Sequence, residues 1–543
     1  MTEKGKILKS ASVVVLATVI SRICGYLRDQ RVALLLGTSP AADSFILAFR
    51  IPNTIRRLTG EGALGASFIP VFIGYLRGKP RKDAWAFAQR AFWDIAVILA
   101  VIAVLGCVFS TEVIGFFTIL GVRHLRWDLA IYLNRIIFPC MFFLGLAALA
   151  SAILNSFHRF GLPASTSIAF NLVVIAFSCS VVYRPIMRVA PGAYKTPAVA
   201  LAIGILLGAV LQLAMQLPSV AKLGMRFRPD LAFDDPGVKK VGRLMGPVIL
   251  GTGVFQVNFF VDTIFAASSR MPAGSITSLY VADRVMELVL GVYAIAISTV
   301  MLPTMSHQAA GGKHAEMKQT FGFALRVVSF ITIPAAIGLI LLRVPITQVL
   351  FQHGAFTAQS TALTSHALPF YSLGLPAFAA IKLITPMYYS THDTMTPVKV
   401  GACALGLHIA LNIVLLFAFG PYLWNASPAL ASSLAAYFNF AALFIIFRGR
   451  YGSLGARAIL GSLTKMAACA VAMAAVCVGA VKYSHVATAE NLFIRASVLF
   501  GLIAISSATY FGLAWLLRCE ELPELFLLLR RAESGVAATG IEL

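Results

Sequence analysis

Ser21-Arg22-Ile23-Cys24-Gly25-Tyr26-Leu27-Arg28-Asp29-Gln30-Arg31 lies inside a long apolar run from Ile7 to Leu36. The next apolar run, from Ala42 to Tyr75, holds Asp43, Arg50, Arg56, Arg57 and Glu61. A charge at the centre of a bilayer costs roughly 2.5–3.5 kcal/mol. So many charges are not expected to face lipid; they are expected to line a wet cavity. Arginine outnumbers carboxylate there, which points to an anionic cargo.

The remainder of the chain fits a membrane protein. Of its 543 residues 59% are hydrophobic and only 12% are charged, which excludes a soluble globular class. Apolar stretches long enough to cross a bilayer recur about fourteen times. Their approximate positions are 7–36, 43–75, 84–110, 128–157, 163–184, 197–217, 239–270, 275–306, 316–345, 360–391, 395–419, 427–447, 456–482 and 492–517. The expected fold is therefore all-α and polytopic. A net charge of +22 suggests nucleic acid, but its placement argues against such a partner. Lys4, Lys6 and Lys9, then Arg77, Lys79, Arg81 and Lys82, then Arg226, Arg228, Lys239 and Lys240, then Arg448 and Arg450 all fall on the side of the N-terminus. This is the positive-inside pattern, with both termini cytoplasmic. The N-terminus resembles a signal peptide, but Arg22 beside Cys24 spoils a cleavage site, so it reads as an uncleaved first helix.

Soluble-enzyme signatures are missing: the sequence has no P-loop, HExxH, GxSxG or dinucleotide glycine motif. The eight cysteines are scattered, with no CxxC pair to suggest a metal or disulfide framework.

The chain has an internal repeat. Arg56, Glu61 and Pro70-Val71-Phe72 in the second span, then Gly78-Lys79, parallel Arg284, Glu287 and Pro303-Thr304-Met305 in the eighth, then Gly312-Lys313. Pro139, Leu144-Gly145-Leu146, Pro163 and Asn171 parallel Pro369, Leu373-Gly374-Leu375, Pro397 and Asn412. The polar connection around 218–240 separates these halves. We therefore expect an N-lobe at 1–225, a C-lobe at 226–450, and an extra helix pair with a tail at 451–543. Six spans per half imply a parallel, pseudo-twofold repeat with the substrate site between the halves. The extra spans, rich in Ala, Val and Gly, suit either tight packing or a groove for a lipid tail.

Helical periodicity aligns Arg22 with Asp29, Asp43 with Arg50, and Arg50 with Arg57. Arg57 and Glu61, at i,i+4, are spaced for an ion pair, as are Arg284 and Glu287 at i,i+3. Pro52 is expected to kink the second span, and Gly60, Gly62 and Gly65 to make it easy to bend. Gln256, Asn258 and Asp262 lie within span seven, Asp283 beside Arg284, and Lys382 near Thr385 and Pro386. Arg22, Arg28, Arg56 and Arg284 are the candidate ligand contacts, because a planar guanidinium donates paired hydrogen bonds to phosphate. Asp29 and Asp43 read as neutralising partners. His366 and His408 read as satisfied core residues. Asp262 is a candidate cation ligand, with Asn412 a further polar group, or simply an interhelical hydrogen-bonding residue.

These residues carry a resemblance. Ser21-Arg22, Gly25, Arg28-Asp29, Ala42-Asp43, Phe45, Phe49-Arg50, Pro52-Asn53, Arg56-Arg57, Gly60-Glu61-Gly62 and Pro70-Val71 are similar to the MurJ/MviN lipid II flippases of the MOP exporter superfamily. So are Asn155, Gly246-Pro247, Ala282-Asp283-Arg284, Glu287, Leu302-Pro303 and Thr396-Pro397. The resemblance implies a fourteen-helix, two-lobe transporter in the bacterial cytoplasmic membrane, not an enzyme. It would move undecaprenyl-diphosphate-linked peptidoglycan precursor from the inner to the outer leaflet by alternating access. It implies substrate contacts at Arg22, Arg28, Arg56 and Arg284, joined by Ser21, Asn171 and Gln256. It implies a gating or charge network of Asp29, Asp43, Arg50, Asn53, Arg57, Glu61, Asp283 and Glu287. A sodium ion at Asp262 is the one cofactor it allows, and membrane lipids and cell-wall synthesis or division proteins are the further partners it allows. Thr59-Gly60 and Leu64-Gly65 depart from the family pattern and suggest a looser bend. The alternatives are an exporter of another polyprenyl-linked saccharide or of drugs, a membrane glycosyltransferase, and a non-transporting scaffold. A basic cavity disfavours cationic drugs, and short, carboxylate-poor outer loops disfavour the transferase.

Overall fold

The computed structural model describes residues 3–57, 64–121, 124–391, 393–452, 455–484 and 491–525. Within these, the side chains of 3–15, 55, 193, 247, 250–252, 254, 255, 292–303, 306, 309, 310 and 456–458 lie outside the description. Every regular element among the described residues is helical. The chain divides into two compact units: Met1–Ser269 with His353–Phe356, and Arg270–Gln352 with Thr357–Leu543.

Among the described residues the first unit holds eleven α-helices. They are α1 (Glu3–Leu36), α2 (Pro40–Arg56), α3 (Gly65–Gly78), α4 (Arg81–Val108), α5 (Ser110–Phe117), α6 (Trp127–Ile137), α7 (Cys140–Ser156), α8 (Gly161–Phe177), α9 (Ser180–Val189), α10 (Pro197–Leu223) and α11 (Pro236–Ala266). Three starts share one signal. Ser39, Thr196 and Asp235 each accept a backbone N–H of the first turn, and each is followed by proline at the first helical position. The cap satisfies a donor that the helix cannot, and the proline lacks the N–H that would otherwise be orphaned. α2 runs through Pro52 to Arg56, so the helix does not end at that proline.

The core of this unit is aromatic. Phe68 of α3 stacks with Phe72 at 5.2 Å and with Phe87 of α4 at 5.5 Å, and Trp85 stacks on Phe157 at 5.6 Å. α10 packs against α7 and α8, α1 lies along α8, and α11 packs against α3 and α4. The polar connection before α11 is pinned to α4. Arg90 bonds Asp230 and Asp235 at 3.1 and 2.9 Å, and Asp94 accepts the Ala232 N–H at 3.0 Å.

The second unit holds α12 (Ser275–Ala310), α13 (His314–Leu341), α14 (Arg343–Phe351), α15 (Ala358–Ser390), α16 (Met395–Ala418), α17 (Gly420–Leu423), α18 (Ser427–Tyr451), α19 (Ala456–Ser484) and α20 (Leu492–Leu516). α15 is central and packs against α12, α13 and α18. Buried polar groups tie it in. Asn425 donates to Ser278 Oγ at 3.0 Å and to the Leu363 carbonyl at 2.8 Å, and its Oδ1 lies 3.2 Å from His366 Nδ1. The Tyr388 hydroxyl donates to the Leu443 carbonyl at 2.6 Å. α19 and α20 pack on each other and on α13.

Each expected span coincides with one long helix or two successive ones. Among the described residues nine stretches are long and apolar enough to cross a membrane, or ten if α8 and α9, bent by 65°, form one span.

Outside the spans, Asp393 joins α15, α16 and α18. It accepts the Thr396 N–H at 2.9 Å and pairs with Arg450, whose other nitrogen donates to Thr396 Oγ1 at 3.1 Å. Burial alone would raise the Asp393 pKa; the bonds from Thr396 and Arg450 outweigh it and hold the carboxyl below its usual range. A carboxylate depressed in the folded state adds stability above its unfolded pKa, and that stability is lost as pH falls through the folded value. Asp393→Asn should therefore cost about 0.5 kcal/mol at pH 7 and progressively less below about pH 4. Paired thermal melts at the two pH values check this; an equal cost at both would show that the charge is immaterial.

Candidate functional site

In the first unit, α1 and α8 meet at Gly25, where an added Cβ would lie 3.8 Å from Asn171 Nδ2. That approach puts buried Asn171 in reach of two elements of the α1 motif. Its Nδ2 donates to the Ser21 carbonyl at 3.3 Å, and its Oδ1 accepts from Arg28 Nη1 at 3.0 Å. Arg28 also donates to Asp29 Oδ1 through Nε and Nη2, at 3.0 and 2.7 Å. Its guanidinium lies 6.0 Å from the centroid of the Phe49 ring. Ser21, Arg28, Asp29 and Asn171 thus form one constellation, with Arg28 fixed in orientation.

Arg22 and Asp29, aligned by the helical periodicity, do not pair; Asp29 pairs with its sequence neighbour Arg28. Arg22 is exposed and makes no hydrogen bond or ion pair among the described residues. Arg31 takes a structural role at the C-terminal end of α8. Its Nε donates to Ser178 Oγ at 3.1 Å and its Nη2 lies 3.3 Å from the Ser178 carbonyl, where the helix dipole favours a cation.

On α2, buried Asp43 sits in the first turn, at the end of the helix dipole that favours an anion. Arg50 reaches α11: Nη1 donates to Thr263 Oγ1 at 2.6 Å, and the guanidinium lies 5.8 Å from the Phe259 ring centroid. Arg56 is held by Asn53, whose Oδ1 accepts from Nε and Nη2 at 3.1 and 2.9 Å. Arg57 follows as the C-cap residue. Glu61, with Gly60 and Gly62, lies outside the described residues, and so does its expected pair with Arg57.

α11 contributes Gln256 and Asn258, whose buried carbonyl oxygens have no hydrogen-bond partner among the described residues. An unpaired buried amide is costly, so both are suited to meet a ligand or water. Asp262 is only 4% exposed. No group of three or more His, Cys, Asp or Glu able to hold a metal occurs among the described residues.

In the second unit, α12 carries Asp283, which is buried, and Arg284, which pairs with Glu287 at 2.5 Å and lies 5.0 Å from the Tyr280 ring centroid. Lys382 of α15 is exposed. Asn412 and His408 are both fully buried on α16, 2.9 Å apart through Nδ2 and Nε2.

Sequence reasoning missed five partners. Tyr280 was recoverable, since it precedes Arg284 by one helical turn. Phe49, Ser178, Phe259 and Thr263 were not, since each meets its arginine only through packing of segments far apart in sequence.

Such an arrangement can serve an anion. Guanidinium groups held by amides and carboxylates present directed donors without paying to order a flexible side chain at each binding event.

Residues 32–498 match the family described as lipid II flippase MurJ. A probable lipid II flippase MurJ from Vibrio cholerae is 36% identical over 452 residues, covering 82% of this chain and 83% of that protein. One from Rhizobium meliloti is 31% identical over 535 residues, covering 97% and 96%. Among solved structures, a lipid II flippase MurJ in an inward closed conformation superposes with a TM-score of 0.73 at 25% identity, covering 92% of this chain and 98% of that one. An inward-facing MATE-family multidrug resistance transporter of the MOP superfamily superposes with a TM-score of 0.65 at 14% identity, covering 81% and 98%; that likeness is one of fold alone.

Proposed function

We propose that this chain, which belongs to the lipid II flippase MurJ family, is a lipid II flippase, and that it carries undecaprenyl-diphosphate-linked peptidoglycan precursor from the inner to the outer leaflet of the bacterial cytoplasmic membrane. The family match over residues 32–498 carries this reading. The protein is a multi-pass membrane transporter. In our reading both termini are cytoplasmic, and the cargo crosses chemically unchanged by alternating access.

The diphosphate is the part of the cargo that arginine recognises best, through paired charge-assisted hydrogen bonds. Arg22 supplies an exposed guanidinium, while Arg28 and Arg56 are pre-oriented by Asn171 with Asp29 and by Asn53. Ser21, Asn171 and Gln256 add polar contacts, and Arg284, steadied by Glu287, is a further proposed substrate contact. Asp43, Arg50, Arg57, Glu61 and Asp283 are assigned to gating. A charge moved across 100 mV gains or loses about 2.3 kcal/mol, so the membrane potential acts directly on an anionic cargo and its cationic site.

The test is rescue of cells depleted of their own lipid II flippase, using this chain and its Arg22→Ala, Arg28→Ala, Arg56→Ala and Arg284→Ala variants at matched levels. We expect the parent to rescue and the variants to fail. Rescue by every variant would keep the function and remove the arginine site. A well-inserted parent that does not rescue would move the assignment to another polyprenyl-linked saccharide.

A further inference from the structure

The ten residues of α9, Ser180–Val189, leave α8 at a bend of 65°. α8 has 17 residues; at about 1.5 Å each it is about 25 Å long, close to the ~30 Å hydrocarbon thickness. The bend therefore falls near one edge of the bilayer.

The two faces of α9 differ. Val182, Tyr183, Ile186 and Met187 share one side and are half-buried, with α9 packed on α10. The opposite side is exposed along its length. It presents Arg184 and Arg188 one turn apart, flanked by Val181 at 83% and Val189 at 87% exposure. Lys195, in the following loop, is exposed as well. Arg184, Arg188 and Lys195 make no hydrogen bond or ion pair among the described residues. The sequence supplies no partner nearby, since no Asp or Glu occurs between Asp128 and Asp230.

We propose that α9 is a membrane-interface helix whose Arg184 and Arg188 recognise the headgroups of anionic phospholipids, with Val181 and Val189 seated at the top of the acyl chains. The docked occupant is the anionic lipid surface of that leaflet. Charge complementarity argues for it: a cationic edge beside an apolar edge is the pattern that holds a helix in the headgroup layer. A soluble partner would leave both valines unexplained. A purely apolar seat would leave unexplained two arginines that form no ion pair among the described residues. This proposal is independent of the cargo assignment above.

The experiment uses the full chain in liposomes. Val189→Cys carries an environment-sensitive fluorophore, in a background with Cys24, Cys107, Cys179 and Cys403 changed to serine. Quenching is compared for phosphatidylglycerol and phosphatidylcholine bearing the same shallow nitroxide, each as a minor component. We expect the anionic probe to quench about threefold more effectively. That preference should vanish in Arg184→Gln/Arg188→Gln and persist in Arg184→Lys/Arg188→Lys, all checked as monodisperse protein. Equal quenching by both lipids would overturn headgroup recognition. Quenching by neither would overturn the interfacial placement. A preference that survives in the glutamine variant would overturn the role of the arginines.

Discussion

Arg22→Ala is expected to abolish rescue of flippase-depleted cells while leaving the amount and thermal stability of the protein unchanged. The side chain is exposed and has no partner among the described residues, so its removal strands nothing. In the proposed function, what disappears is a charge-assisted contact to the diphosphate, worth about 1.5–3 kcal/mol, or roughly 10- to 100-fold in affinity. Arg22→Lys keeps the charge but not the planar fork, so it should rescue weakly. Arg28→Ala should behave differently. It removes both Arg28 bonds to Asp29 and the Arg28 donor to the Asn171 carbonyl oxygen, and so should cost about 1–3 kcal/mol of stability besides function. Growth at matched expression, beside melting of each purified variant, separates the two. Full rescue by Arg22→Ala would remove Arg22 from the substrate site. A melting loss equal to that of Arg28→Ala would mean that Arg22 is structural.

Gly37→Val is expected to destabilise the first unit by about 2–5 kcal/mol. Gly37 follows the last residue of α1 at φ +58° and donates its N–H to the Ala33 carbonyl at 2.8 Å, a left-handed cap. Any other L-residue pays about 1–2 kcal/mol there. Space is the larger difficulty. A Cβ on Gly37 would lie 2.2 Å from the Ala355 carbonyl oxygen. That backbone cannot retreat freely, because the Ala355 N–H bonds the Leu34 carbonyl at 2.8 Å. Gly354, at φ +59°, is as tightly placed: its Cβ would lie 2.6 Å from the same Leu34 oxygen. Such overpacking adds about 1–3 kcal/mol. Gly74→Ala is the control. It sits within α3, and beyond its own helix backbone no atom of the described residues lies within 4 Å of its Cβ, so the change should be neutral or stabilising by up to about 1 kcal/mol. Thermal inactivation of the purified proteins reads both. A Gly37→Val protein as stable as its parent would mean that the 353–356 segment is not held against α1.

The helical, membrane-spanning class of this protein was legible in its residues, because a bilayer allows few ways to satisfy the backbone and the apolar runs are long. Helix starts at Ser39-Pro40, Thr196-Pro197 and Asp235-Pro236 were equally local, since a cap acts within one turn. So were the pairs one turn apart, Asn53 with Arg56, Tyr280 with Arg284, and Arg284 with Glu287. Periodicity also picked out the arginines, but it could not rank them. Arg22 and Asp29 share a helix face and still do not pair. Arg28 is fixed because Asn171, 143 positions away, is brought against Gly25 by the packing of α8 on α1. Arg50 is tied to Thr263 across 213 positions, and α11 belongs with the first unit because it packs on α3 and α4. A helix face repeats every turn and can be read along the chain. Which face meets which neighbour depends on side-chain shapes fitting across helices far apart in sequence, and only the packed structure decides it.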